Sequence, residues 1–118
     1  MSFIFVRHNR RFQRIPCPDI RYIEANQNYV RIYTSDQCYL VLSTLRQVQD
    51  KLPHTEFCRI HRSFIVAVAQ IEAFDNHYVY LADKRLPMGP AWLPRLLSEL
   101  PIVAPEPVRI VAVKNDFF

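Results

Sequence analysis

A chain of 118 residues, half of them apolar, has room for one domain and a core near the small end of the self-sustaining range. Its single glycine removes the loops that bring several backbone N–H groups onto a phosphate, so P-loop and dinucleotide-binding chemistries are excluded. The 15 Lys+Arg and 11 Asp+Glu leave a net charge of +4, and residues 1–15 carry all of it, through Arg7, Arg10, Arg11 and Arg14 with no acid among them.

Cys17, Cys38 and Cys58 are odd in number and form no C-x-x-C pair, which argues against a disulfide framework and against a zinc site. They read as reduced core residues of a cytoplasmic protein. The longest apolar run falls well short of the ~20 residues of a membrane span, and the N-terminus lacks a signal-peptide apolar region.

In chain order, Ser2 to Arg7 reads as a strand and Phe12 to Ile15 as its return across a His8-Asn9-Arg10-Arg11 turn. Two strands alone are marginal, so this hairpin must lie on something. After the Pro16 and Pro18 loop, Asp19 to Glu24 and Tyr29 to Thr34 alternate as strands, with Val30, Ile32 and Thr34 on one face and Tyr29, Arg31 and Tyr33 on the other. Between them, Ala25-Asn26-Gln27-Asn28 is amide-rich. Such residues make turns, and they also pair with adenine in a major groove. Both readings stay open on the residues alone.

Ser35-Asp36-Gln37 closes a hairpin into Cys38 to Leu42. Thr44 and Gln47 fit a capping box, Leu45, Val48 and Leu52 form the inner face of the helix it starts, and Pro53 ends it. Arg46, Gln49, Asp50 and Lys51 read as its solvated face. The stretch Phe57 to Val68 joins a polar, basic knot (Arg59, His61, Arg62, Ser63) to an apolar run, Phe64 to Ala69, that reads as a strand covered on both faces. Short strands follow at Ile71–Phe74, Tyr78–Leu81 and Arg85–Met88, and a last helix buries Leu93, Leu96, Leu97 and Leu100 with Pro94 in its first turn. Beyond Pro101, Val108 to Val113 reads as an ordered extra strand. The pattern as a whole belongs to a mostly β, β-dominated α+β domain.

The string Phe57-x-Arg59-Ile60-His61-Arg62-Ser63-Phe64-Ile65-Val66 resembles the central motif of the LytTR family, the mostly β DNA-binding domains of many bacterial response regulators. Three other segments resemble the same family in the right order: Ile20 to Asn26 with Asn28-Tyr29-Val30, the Leu45 to Leu52 helix with Leu42 and Ser43 before it, and the strand, loop and helix from Leu86 to Leu100. The resemblance implies antiparallel sheets of short strands with two short helices over residues 1–100, and residues 101–118 as an extension. It leaves no room in this chain for the receiver domain that such proteins usually carry upstream.

The resemblance further implies a sequence-specific transcriptional regulator that meets major grooves through loops and needs no cofactor or metal. Double-stranded DNA would be the partner, with homodimers on repeated sites an option and neither membrane nor small-molecule substrate involved. The DNA-facing residues carried over are Asn26, Gln27 and Asn28; Arg59, His61, Arg62, Ser63 and Ala67; and Gly89 and Trp92 in the Met88 to Trp92 loop. The charge of the N-terminal hairpin, not the resemblance, adds Arg10 and Arg11 as extra phosphate contacts. Arg62 reads as a phosphate fork, Arg59 as another or as a partner of Glu56, and His61 more as scaffold than as ligand or base.

Two positions depart from the family pattern. Ala67 stands where an asparagine usually touches a base, and Gly89-Pro90 stands where a Ser-Arg pair is usual. Losing two base contacts would cost roughly two to four decades of specificity. The alternative is therefore a degenerate LytTR-like domain acting as a protein-interaction or dimerisation module. Enzymatic readings fail on placement: Cys58 and His61 fall on opposite faces of an extended strand, and Ser63 has no acid nearby to orient His61.

Overall fold

The computed structural model describes residues 2–104, so the strand expected at Val108 to Val113 lies outside the described residues. Ten strands and two helices run in the order β1 (Phe3–His8), β2 (Arg11–Pro16), β3 (Ile20–Asn26), β4 (Tyr29–Thr34), β5 (Cys38–Leu42), α1 (Leu45–Lys51), β6 (Phe57–His61), β7 (Phe64–Ala67), β8 (Ala73–Phe74), β9 (Tyr78–Tyr80), β10 (Arg85–Pro87) and α2 (Leu93–Glu99). The mostly β class expected from the alternation is what the chain adopts.

The central layer is a five-stranded antiparallel sheet in the order β5-β4-β3-β7-β6. Strands β3 and β7 lie in its middle, and their period-2 alternation sends Ile23 and Ile65 to one face and Tyr22 and Val66 to the other. Each face needs a cover. On the first, the β1–β2 hairpin and α1 enclose Ile4, Val6, Ile15, Ile32, Leu45, Val48 and Leu52. On the second, the three-stranded meander β8–β9–β10 and α2 enclose Cys58, Ile60, Val79, Leu86, Leu93 and Leu96. Two small cores thus share one sheet, which explains how β7 can be apolar throughout.

Local chemistry fixes the ends of these elements. Thr44 and Gln47 form the expected capping box at α1, with Gln47 N–H donating to Thr44 Oγ1 at 3.1 Å and Thr44 N–H to Gln47 Oε1 at 2.9 Å. In the β8–β9 turn, Asp75 accepts from the backbone N–H of His77 and Tyr78, each at 2.8 Å, and from the Tyr80 hydroxyl at 2.7 Å. The Tyr80 bond, then the two backbone bonds, hold its carboxyl below the usual value. Lys84 Nζ donates to the Tyr22 hydroxyl at 2.7 Å above the stacked Tyr22 and Tyr33 rings, and Arg21 pairs with Asp83, so the meander is tied to the sheet by polar bonds as well as by burial.

Three expectations change. The basic knot is divided: Phe57–His61 is strand β6, with Cys58 and Ile60 inward, and only Arg62-Ser63 turn. Strand β7 ends at Ala67, where a 3-10 turn, Val68–Gln70, takes over. Cys17 and Cys58 are buried as expected, one in each core, whereas Cys38 is exposed on the edge strand β5. Burial, with Glu99 nearby, pushes the Cys58 thiol up to about 12.

The hairpin lies on the sheet through Ile4, Val6 and Ile15, which turns Phe3, Phe5 and Phe12 outward, Phe12 to 69% exposure. Register pairs Phe5 with Arg14 and Arg7 with Phe12, and the guanidinium groups cover the rings: Arg14 Cζ is 4.0 Å from the Phe3 centroid and Arg7 Cζ 4.9 Å from that of Phe12.

Candidate nucleic-acid interface

Two hairpins of the central sheet end side by side. Strands β3 and β4 close through Gln27-Asn28, strands β6 and β7 through Arg62-Ser63, and because β3 and β7 are antiparallel neighbours these tips meet at one end of the sheet. The Ala25 N–H donates to the Ser63 carbonyl at 2.8 Å and fastens one tip to the other. Asn26, Gln27, Asn28 and Arg62 are exposed there, with Tyr29 beside them.

The turn after β10 joins the same end by a different device. The β6–β7 register shifts between Arg59 and His61, placing a bulge at Ile60. Its carbonyl accepts from the Gly89 N–H at 2.7 Å. A Cβ on Gly89 would lie 2.7 Å from Trp92 Cδ1, so glycine is required there for close approach rather than for a left-handed backbone. Trp92 N–H donates to the Gly89 carbonyl at 2.9 Å, which curls the turn over that glycine and leaves the indole against it.

Above the indole lies Arg59, whose Cζ is 5.1 Å from the ring centroid. Its guanidinium donates to three internal acceptors: Nε to the His61 carbonyl at 2.9 Å, Nη1 to Gln49 Oε1 at 3.1 Å, and Nη2 to the Arg62 carbonyl. Arg59 does not pair with Glu56, which accepts instead from the Ser2 hydroxyl at 3.0 and 2.9 Å. Burial lowers the Arg59 pKa from its ordinary value. Ser63 N–H donates to His61 Nδ1 at 3.1 Å, an arrangement that requires Nδ1 to be unprotonated. The His61 ring meets Phe64 edge-on, and burial, then the Arg62 and Arg59 charges, holds its pKa below the usual value.

Of the residues singled out from sequence, Asn26, Gln27, Asn28, Arg59, His61, Arg62, Ser63, Gly89 and Trp92 therefore gather at one end. Ala67 does not. It is 5% exposed in the core under the hairpin and pairs with Phe57 at the other end of β7. This departure from the family pattern thus lies away from the end where the loops converge. Arg10 and Arg11 stand apart too: the residue before their turn, His8, packs edge-on against Tyr39 of β5 at 5.1 Å between centroids, which places the hairpin tip over the β5 side.

One participant and one backbone feature escape a reading of the sequence. Gln49, assigned to a solvated helix face, is half-buried and holds Arg59; helical periodicity carries no trace of that bond. Gln27, with φ of 58°, is a non-glycine residue in left-handed backbone, as are Asn9 (53°) and Arg10 (64°) at the other hairpin. Such residues are uncommon outside Asn, Asp and Gly and persist where the surroundings over-determine them.

A β-dominated three-layer domain whose hairpin tips converge on one end defines the class, and the family follows. The model described as "LytTr DNA-binding domain" matches residues 10–96, and the chain belongs to that family. It is 39% identical over 54 residues to the "Sensory transduction protein LytT" of Bacillus subtilis (strain 168), covering 46% of this chain and 22% of that protein. It is 34% identical over 68 residues to the "Transcriptional regulatory protein YpdB" of Escherichia coli (strain K12), covering 54% of this chain and 28% of that one. The matched part is thus about a quarter of each relative. Among solved structures, the LytTr DNA-binding domain of a putative methyl-accepting/DNA response regulator from Bacillus cereus superposes with a TM-score of 0.71 over 84% of this chain and 96% of that one; at 20% identity the likeness is one of fold. Among the described residues no helix is long and apolar enough to cross a membrane.

Proposed function

We propose that this chain is a sequence-specific DNA-binding transcriptional regulator of bacterial cytoplasm that meets duplex DNA with the three converging loops instead of with a recognition helix. What supports the reading most is that the two sheet hairpins are fastened tip to tip by the bond from Ala25 N–H to the Ser63 carbonyl. That bond presents three amide side chains and one exposed guanidinium on a common end. In this reading Arg62 forks onto phosphate and fixes register, whereas Asn26, Gln27 and Asn28 reach base edges. Gly89-Pro90 supplies backbone and shape only. Arg10 and Arg11 serve as outlying phosphate contacts, and domains on repeated sites act as pairs.

The test is a gel-shift titration on mixed duplex DNA at several salt concentrations. Affinity should fall steeply with salt. Arg62→Ala should weaken binding to all sequences and reduce the log–log salt slope by about 0.9, while Asn28→Ala should change preference between sites by about 1–3 kcal/mol. A second reading, a protein-interaction module, draws on the exposed Phe3, Phe5 and Phe12 of the hairpin. A stable oligomer by sizing, with no shift at low salt, would favour it.

A further inference from the structure

We infer that Arg59 is a positioning residue: its guanidinium, spanning Gln49, the His61 and Arg62 carbonyls and the Trp92 ring, is the clasp that sets the β6–β7 tip against the β10–α2 turn. The inference rests on the DNA-binding reading for its functional meaning and replaces the expectation that Arg59 contacts phosphate.

The geometry leaves the guanidinium little else to do. Of its five N–H groups, one from each nitrogen is engaged by a protein acceptor from three directions, and one face of the group lies on an indole. The acceptors belong to separate pieces of chain: Gln49 to helix α1, His61 and Arg62 to the β6–β7 tip, and Trp92 to the turn before α2. Removing the guanidinium would leave the Gln49 amide and two tip carbonyls without their shared donor and would free the indole on one side. Between the tip and the turn, the bond from Gly89 N–H to the Ile60 carbonyl would remain, with the burial of Met88 and Leu93 beside Ile60. Lysine cannot replace it, because one ammonium at the end of a flexible stem does not present a planar fork to acceptors on three sides. The clasp also accounts for Gln49, half-buried on a helix face that is otherwise solvated.

A positioning role and a phosphate contact give opposite results on Arg59→Lys. If Arg59 only positions, Arg59→Lys and Arg59→Gln weaken duplex binding alike, by about tenfold (1.4 kcal/mol) or more, and the salt slope stays parallel to that of the starting protein. Gln49→Ala weakens binding in the same direction, and the Gln49→Ala/Arg59→Gln pair costs less than the sum of its parts. If Arg59 touches phosphate, Arg59→Lys binds nearly normally, Arg59→Gln lowers the slope by about 0.9, and the inference is overturned. An independent readout needs no DNA: Trp92 is the only tryptophan in the chain. Its emission should shift, and exchange of the Gly89 N–H should speed up, in Arg59→Lys as well as in Arg59→Gln, with far-UV circular dichroism unchanged. Unaltered emission and exchange in both would sink the clasp. Binding to DNA lost by the unsubstituted protein would sink the functional reading alone.

Discussion

The loop end of the central sheet and the N-terminal hairpin are both basic, but they keep their arginines in opposite ways. At the sheet end Arg59 is spent on internal acceptors, which leaves Arg62 as the exposed charge on a fixed tip. On the hairpin Arg7 and Arg14 lie over phenylalanine rings, and Arg10 and Arg11 stand at the turn. Counting charge along the chain places the whole surplus on the hairpin, yet the end where the loops converge, the candidate site, lies elsewhere. What marks an interface is the set of donors left unengaged on a rigid frame, and that is a property of the fold.

The comparison is sharpened most by removing the hairpin's tip charges. Arg10→Ala/Arg11→Ala should lower the salt slope of DNA binding by up to about 1.8 if both touch phosphate. A slope that does not move would confine the footprint to the loop end and make the hairpin a purely structural or protein-facing element.

Next in size is the backbone test. Gln27→Gly and Arg10→Gly each relieve a left-handed non-glycine residue and should each add about 1 kcal/mol of stability or somewhat less, raising Tm by a few degrees in a thermal melt. Gln27→Gly should also change preference between sites, whereas Arg10→Gly should weaken binding to all sequences alike by the loss of a phosphate contact. A change of site preference in both would make the two tips functionally alike and break the distinction drawn above.

The smallest effect is one of pH. Because His61 in the folded chain has its pKa lowered from 6.5, the unfolded chain takes up the proton first. Its contribution is intact above about pH 6.5 and is lost as pH falls through the depressed folded value; protonation also removes the acceptor of the Ser63 N–H. Urea melts from pH 8 to pH 5 should show this decline, and His61→Gln should flatten it.

The parts of this molecule legible in sequence are those decided by neighbours in the chain. Alternation in Tyr29 to Thr34 gave strand and face together, the Thr44 and Gln47 spacing gave the helix start, and Pro94 fell in the first turn of α2 as its missing N–H requires. The amide loop and the Arg62-Ser63 turn were visible as polar tips. What escaped depends on pairing across the sheet. The resemblance carries Ala67 over as a DNA contact although the apolar run around it reads as covered, and register puts it opposite Phe57, a full strand away from the tips. Gln49 looked solvated because its helix neighbours are, but its partner lies ten residues on in β6. The outward turn of Phe3, Phe5 and Phe12 follows from which side of a two-faced hairpin meets the sheet, and both sides are apolar enough to do so.

The placement of the sulfurs has a practical consequence. Cys38 stands at the surface, while Cys17 and Cys58 are enclosed on opposite faces of the central sheet. An alkylating reagent added to the native protein should therefore mark Cys38 first, and each later adduct should time the opening of its own layer. Mapping the adducts by peptide mass would show whether the hairpin side and the meander side come apart together or in turn.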